Sequence, residues 1–152
     1  MRYHVRSIPI TTSATPDYSI GDCVGTTFKI EPQAFSGQGI KLQTLVATDQ
    51  SNQGPALRIL FFGAQPTGTY TDNAAMDLSA ADLTNIIGQI KISAADWETT
   101  DSYKFVSLSS LQLILGANVG NADRAIYGTI VADTVWNAGA TNDLYLHIGF
   151  EE

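Results

Sequence analysis

Cysteine is nearly absent from this chain, and Cys23 is the one it has. That leaves no intrachain disulfide and no multi-cysteine zinc site. Cys23 reads instead as a small residue packed in or beside a strand. Charge is scarce, at 15% of residues, against a usual quarter. That is too little for a disordered chain or a long solvated helix. Positive charge is scarcer still: eight Lys and Arg stand against fifteen Asp and Glu, for a formal net charge of −7. The cations are scattered from Arg2 to Arg124. A polyanion such as DNA or RNA meets repulsion and no basic cluster, so no direct nucleic-acid partner is expected. Long hydrophobic runs are missing as well. The opening MRYHVRSIPITT breaks its apolar residues with Arg6, Ser7 and Pro9. That argues against a signal peptide, and no transmembrane run follows. The expectation is a protein made soluble inside a cell, with no membrane partner.

What is present is a period of two. At 152 residues one domain is expected, hiding roughly 68–70% of the unfolded surface. Apolar residues make up 44% of the chain, enough to fill a core. In Val24–Ile30, Val24, Thr26, Phe28 and Ile30 share a face. In Ile40–Thr48, Ile40, Leu42, Thr44 and Val46 oppose Lys41, Gln43, Leu45 and Ala47. Leu57–Phe62 is nearly all apolar and reads as a strand covered on both faces. Ile86–Ile92, Tyr103–Leu108 and Ala125–Ala132 follow, and Leu144–Phe150 alternates most cleanly. Tyr3–Ile10 is a plausible first strand. Turn chemistry separates these runs at Thr15-Pro16-Asp17, Ser36–Gly39, Asn52–Pro55, Asn118–Asn121 and Asn137–Gly139. One short helix is expected at Ala80–Asn85, with Ser79 as N-cap and Asp82 in its first turn. A further turn is expected near Ser93–Asp96, and Ser109–Leu115 reads equally as strand or turn. Helical crossovers are missing, which disfavours a parallel sheet. The fold class is therefore all-β: an antiparallel jelly-roll β-sandwich of about eight strands with one short helix. Residues 1–20 read as an N-terminal arm or first strand, and residues 21–152 as the sandwich.

Reactive groups are few. His4 and His147 show no ligand spacing, where zinc or non-haem iron asks for two or three convergent imidazoles. No Gly-x-Ser-x-Gly elbow and no phosphate loop is present. Ser36-Gly37-Gln38-Gly39 precedes a strand rather than a helix, so it lacks the amides of a phosphate cradle. The strongest candidate is the acidic stretch between Phe61 and Ile90, with Asp72, Asn73, Asp77 and Asp82. Asp72 and Asp77 are weak calcium candidates, because calcium takes six to eight oxygens. Their spacing does not match an EF-hand, and two opposed glycosidase carboxylates are not evident. The preferred reading is an architectural crossover: Asp72 and Asn73 hold a turn, and Asp82 starts the helix. No metal, no cofactor and no catalytic residue is assigned, and the chain is read as no enzyme. Tyr18, Tyr70, Trp97, Tyr103 and Trp136 leave sugar stacking open, although packing at the core edge is the commoner use of such rings.

The ordered pattern of strands and loops carries a resemblance. Val46-Ala47-Thr48-Asp49 closes a strand, the loop Gln50–Pro55 follows, and then comes Leu57–Phe62. Pro66-Thr67, Thr71-Asp72-Asn73-Ala74-Ala75 and Leu78–Leu83 lead to Ile87-Gly88, and Tyr127–Ala132 with Asp143–Leu146 closes the chain. Over residues 20–150, most specifically 45–92, this resembles the capsid decoration, or cement, proteins of tailed bacteriophages, which have a jelly-roll-like fold. The resemblance implies a noncatalytic virion structural protein on the outer surface of the capsid. It implies a homotrimer that clamps neighbouring major capsid proteins and stabilises the phage head. An acidic surface suits the outside of a shell better than its DNA-lined interior. Arg2, Tyr3 and Arg6 are the capsid-contact candidates. The alternative is a receptor- or glycan-binding jelly-roll module of a head fibre or tail.

Overall fold

The computed structural model describes residues 2–31, 39–117 and 123–152. Most of the Ser36–Gly39 turn and all of the Asn118–Asn121 turn lie outside the described residues. Ten strands are defined among those described: β1 Tyr3–Ile10, β2 Cys23–Ile30, β3 Ile40–Asp49, β4 Leu57–Phe62, β5 Ile86–Ile92, β6 Glu98–Thr99, β7 Lys104–Leu108, β8 Leu113–Leu115, β9 Ile126–Ala132 and β10 Leu144–Glu151. One helical turn, α1 (Ala80–Leu83), precedes β5, and a 3₁₀ turn covers Ala94–Asp96. All pairings are antiparallel. One sheet runs β1-β10-β3-β7-β6, with β8 also paired to β3; the other runs β2-β9-β4-β5. Without the short β6 and β8, the eight remaining strands pair as first-eighth-third-sixth and second-seventh-fourth-fifth. That interleaved order is a jelly roll, in which each connection steps from one sheet to the other or closes a hairpin.

The core lies between the two sheets. Leu144, Leu146, Ile148 and Phe150 all point into it and are fully buried, as their alternation predicts. Phe28 on β2 and Phe61 on β4 flank Gly128 on β9. Their rings meet edge to face with centroids 6.5 Å apart, directly over that glycine. A Cβ at Gly128 would occupy the space of the Phe28 ring, so the small residue is what lets the rings touch. At one end of the sandwich Tyr18 stacks on Trp136 at 5.1 Å. Both are buried.

Two strands depart from simple alternation. On β3 the inward side changes from Ile40 and Leu42 to Leu45, Ala47 and Asp49. A bulge at Gln43 causes it: Phe150 faces Leu42, while Gly149 faces Thr44. The opposite edge of β3 is broken at the same place. β7 pairs with Leu45–Asp49, β8 pairs with Ile40–Leu42, and Leu111 N–H donates to Gln43 O at 3.1 Å between them. The extra residue inverts the facing of everything beyond it, so Leu45 is buried and Val46 only half so. On β2 the register shifts between Val24 and Phe28, with Gly25 at φ +71°. Thr26 is therefore exposed instead of sharing the inner face.

The stretch from Phe61 to Ile90 also departs from the expected crossover. β4 and β5 are hydrogen-bonded neighbours, so the chain between them leaves one sheet and returns to it. It lies over that sheet's outer face. Tyr70, Met76 and Leu78 pack there on Cys23, Leu60, Phe62, Ala125 and Tyr127, forming a second apolar layer. This flap explains why Leu57–Phe62 is apolar on both faces: Leu57, Ile59 and Phe61 enter the main core, and Leu60 and Phe62 meet the flap. The bulge in β3 makes an asymmetric prediction. Leu45→Ala lowers stability by about 2–5 kcal/mol, and its neighbour Val46→Ala by about 1 kcal/mol or less. Urea midpoints of the two variants check it; equal losses would contradict the inversion.

Candidate functional site

The acids of the flap are organised as two separate anchors. Asp82 sits in α1 and is fully buried. Its backbone N–H donates to the N-cap hydroxyl Ser79 Oγ at 3.0 Å, which starts the helical turn as the sequence implies. Its carboxylate turns elsewhere. Oδ1 accepts from Thr67 N at 2.7 Å and Thr67 Oγ1 at 3.0 Å. Oδ2 accepts from Gly68 N at 2.8 Å and the Tyr70 hydroxyl at 2.7 Å. Burial by itself would raise the carboxyl pKa. The Thr67 amide, the Tyr70 hydroxyl and the Gly68 amide outweigh it and hold Asp82 well below the ordinary value of 3.8. Burial and the adjacent Asp82 push the Tyr70 phenol upward. Tyr70 in turn stacks on Phe62 at 6.1 Å, so the ionic anchor and the apolar layer share one side chain.

Asp72 is the second anchor. Oδ1 accepts from the Tyr18 hydroxyl and from Gly25 N, each at 2.6 Å. Oδ2 accepts from Ser13 Oγ. Tyr18 also receives the Ser13 amide at 2.7 Å, and burial together with Asp72 raises its phenol pKa. Asn73, at φ +58°, donates through Nδ2 to Pro16 O at 2.6 Å. Asp72 thus ties the flap to the segment between β1 and β2. Asp77 is exposed. Among the described residues, no group of three or more His, Cys, Asp or Glu side chains is placed to hold a metal ion.

The same device recurs at the end of β3. Asp49 is fully buried and accepts from Ser51 N at 2.8 Å, Gln53 N at 2.9 Å and Gly54 N at 2.7 Å. Ser51 Oγ then receives Trp136 Nε1 at 2.9 Å. Cys23 is buried, and burial with Asp22 and Asp72 nearby pushes its thiol up to about 11. It stays protonated at neutral pH and is a poor nucleophile. Of the aromatic residues open to sugar stacking, Tyr18, Tyr70, Trp97 and Trp136 are buried and Tyr103 is exposed.

The N-terminal candidates sit on β1. His4, Arg6 and Ile8 face Phe150, Ile148 and Leu146 across the ladder, while Tyr3, Val5 and Ser7 face Glu151, Gly149 and His147. His4 stacks on Phe150 at 5.5 Å, and its Nε2 lies 3.1 Å from Glu152 Oε2. The Tyr3 hydroxyl occupies the space above Gly149 and lies 3.0 Å from Thr44 Oγ1. His147 Nδ1 lies 2.8 Å from Ser7 Oγ. The two histidines therefore occupy opposite faces of the sheet.

No family model matches the chain, and no curated protein matches it. Three solved viral structures are similar to it. A structure of tomato aspermy virus aligns over 98% of this chain and 75% of its own, at 10% identity and a TM-score of 0.39. A full particle of Israeli acute paralysis virus, heated to 63 degrees, aligns over 98% and 70%, at 12% identity and a TM-score of 0.34. The coat protein of tobacco streak virus aligns over 97% and 86%, at 9% identity and a TM-score of 0.26. The jelly-roll assignment rests on the strand order of this chain.

The Asp82 anchor has a pH signature. A carboxyl depressed in the folded state stabilises it fully above the unfolded pKa, and that stability is lost as pH falls toward the folded value. Asp82→Asn places an amide donor among donors and lowers stability at pH 7 by about 2–3 kcal/mol. The gap between variant and wild type narrows below about pH 4. Thermal melts at pH 7 and pH 3 check both statements; a gap unchanged with pH would contradict the ionised anchor.

Proposed function

We infer that this chain is a noncatalytic virion structural protein: a capsid decoration protein that clamps neighbouring major capsid proteins from outside the shell. The observation that supports it best is the set of loop-holding carboxylates at Asp49, Asp72 and Asp82, of which Asp49 and Asp82 are buried and Asp72 half-buried. They fix long loops into a body of constant shape, which is what a clamp under mechanical load requires. A loop that opens for substrate would instead be drawn from the weakly held parts of a fold. The strand order is one that viral capsid domains use, although lectins and cupins share it. The resemblance over residues 45–92 narrows the choice to the decoration proteins. In this reading Arg2, Tyr3 and Arg6 contact the major capsid protein, and three copies meet at a local threefold position. Asp72 and Asp77 carry no metal in it, so a chelator leaves the melting temperature unchanged.

Quantitative mass spectrometry of purified particles tests the reading. The chain is expected in numbers comparable to the major shell protein, and as a trimer by sedimentation after release. A few copies per particle, together with glycan binding lost in Tyr103→Ala, would overturn it in favour of a receptor-binding module.

A further inference from the structure

Strand β1 is an edge. Among the described residues only β10 pairs with it, and the parity of its open backbone groups is determined. Arg2 N donates to Glu152 O at 3.1 Å, and Glu152 N donates to Arg2 O at 3.0 Å, so these two form a hydrogen-bonded pair. The register runs from Tyr3 to Ile10 without a bulge. Alternation then makes His4, Arg6 and Ile8 the bonded positions. The N–H and C=O groups of Tyr3, Val5 and Ser7 point away from the sheet. Pro9 has the same parity, and its missing donor ends the open stretch.

The side chains around that edge are sorted. Tyr3 and Val5 are 55% and 57% exposed on the outer face. Arg2 and Arg6 lie on the other face. Two of the chain's eight cations fall within its first six residues, and none of its fifteen acids does. Lys29 and Arg58 are paired with carboxylates at 3.0 and 2.7 Å. Arg2 and Arg6 make no ion pair among the described residues, which include every Asp and Glu of the chain.

We propose that the free edge of β1 takes an extended acidic segment of a shell protein as an added strand. Tyr3, Val5 and Ser7 supply the backbone ladder. Carboxylates at alternate positions of the incoming segment face Arg2 and Arg6, and its apolar side chains cover Tyr3 and Val5. A second copy of β1 fits less well. Antiparallel pairing about Val5 sets Arg6 opposite His4 and Arg2 opposite Ile8, so no cation meets a carboxylate. The proposal rests on the decoration reading for the source of the segment, and the binding chemistry stands apart from it.

The test titrates the full chain with the synthetic peptide acetyl-Glu-Val-Glu-Val-Glu-amide and follows backbone amides by NMR. The expected result is shift changes and slowed exchange at Tyr3, Val5 and Ser7. Binding weakens at least about tenfold for the Lys-Val-Lys-Val-Lys counterpart and for Arg6→Glu. Val5→Pro removes an outward donor and leaves the ladder to β10 intact, as Pro9 already does, and it abolishes binding. Should that variant not fold, Arg6→Glu carries the test. Equal binding of both peptides, or protection that rises with protein concentration in the absence of peptide, overturns the proposal. Full occupancy of particles by Val5→Pro overturns strand addition and leaves the decoration reading standing. Absence of the wild-type chain from particles overturns that reading and leaves the peptide result untouched.

Discussion

Four donors converge on the buried carboxylate of Asp82, and the outer apolar layer depends on them. The segment between β4 and β5 has no strand partner of its own along most of its length. It lies flat because Thr67, Gly68 and Tyr70 are drawn to one anion, and because Tyr70 carries its ring onto Phe62. A neutral side chain of the same shape would face those donors with fewer acceptors. With the anchor gone, Leu60, Phe62 and Tyr127 would lose their cover. An apolar sheet face turned to water is an aggregation hazard. The carboxylate thus protects the sheet as well as the loop.

That changes the meaning of the acidic composition. An excess of fifteen acids over eight bases reads at first as a statement about partners. Most of the aspartates prove to be loop hardware. Asp22 accepts the Ser19 amide at 2.8 Å, Asp96 the Ser93 amide at 2.7 Å, and Asp143 the Ala140 amide at 2.9 Å. Asp49 does the same for amides two to five residues on, and Asp72 and Asp82 do it over much longer spans. A jelly roll with long connections has many backbone amides outside its ladders, and a short carboxylate satisfies several at once. Aspartate suits this work because its reach is short and its charge strengthens each bond.

Where local pattern and tertiary demand agree, the fold is legible in the residues. β10 alternates without interruption because both of its neighbours follow it in register over most of its length. β4 reads as covered on both sides and is covered on both sides. The exceptions have a common physical origin. The inversion of β3 is decided at Gln43 by three other strands, β7, β8 and β10, and nothing in IKLQTLVAT marks it. Leu45 and Val46 are equally apolar, and only the bulge selects between them. The role of Asp82 was hidden in the same way. Its place near Ser79 signals a helix start, and the helix start is real, but its carboxylate partners lie twelve to fifteen residues earlier. Local spacing exposes caps; it does not expose anchors that close long loops.

The edge at β1 follows from the same logic turned outward. Sandwich edges are dangerous, and natural chains blunt them with proline, charge or short strands. Here β6 is two residues long, β2 is bulged at Gly25, and β1 carries Pro9 at one end. Its first half has neither proline nor a bulge, and charge is its one protection. A full-length strand with open amides and exposed Tyr3 and Val5 keeps features that selection against aggregation would remove. The charges matter most, because they repel copies of the same acidic-poor strand and attract an acidic one. An edge discriminating in this way is protected from itself while remaining open to a chosen partner.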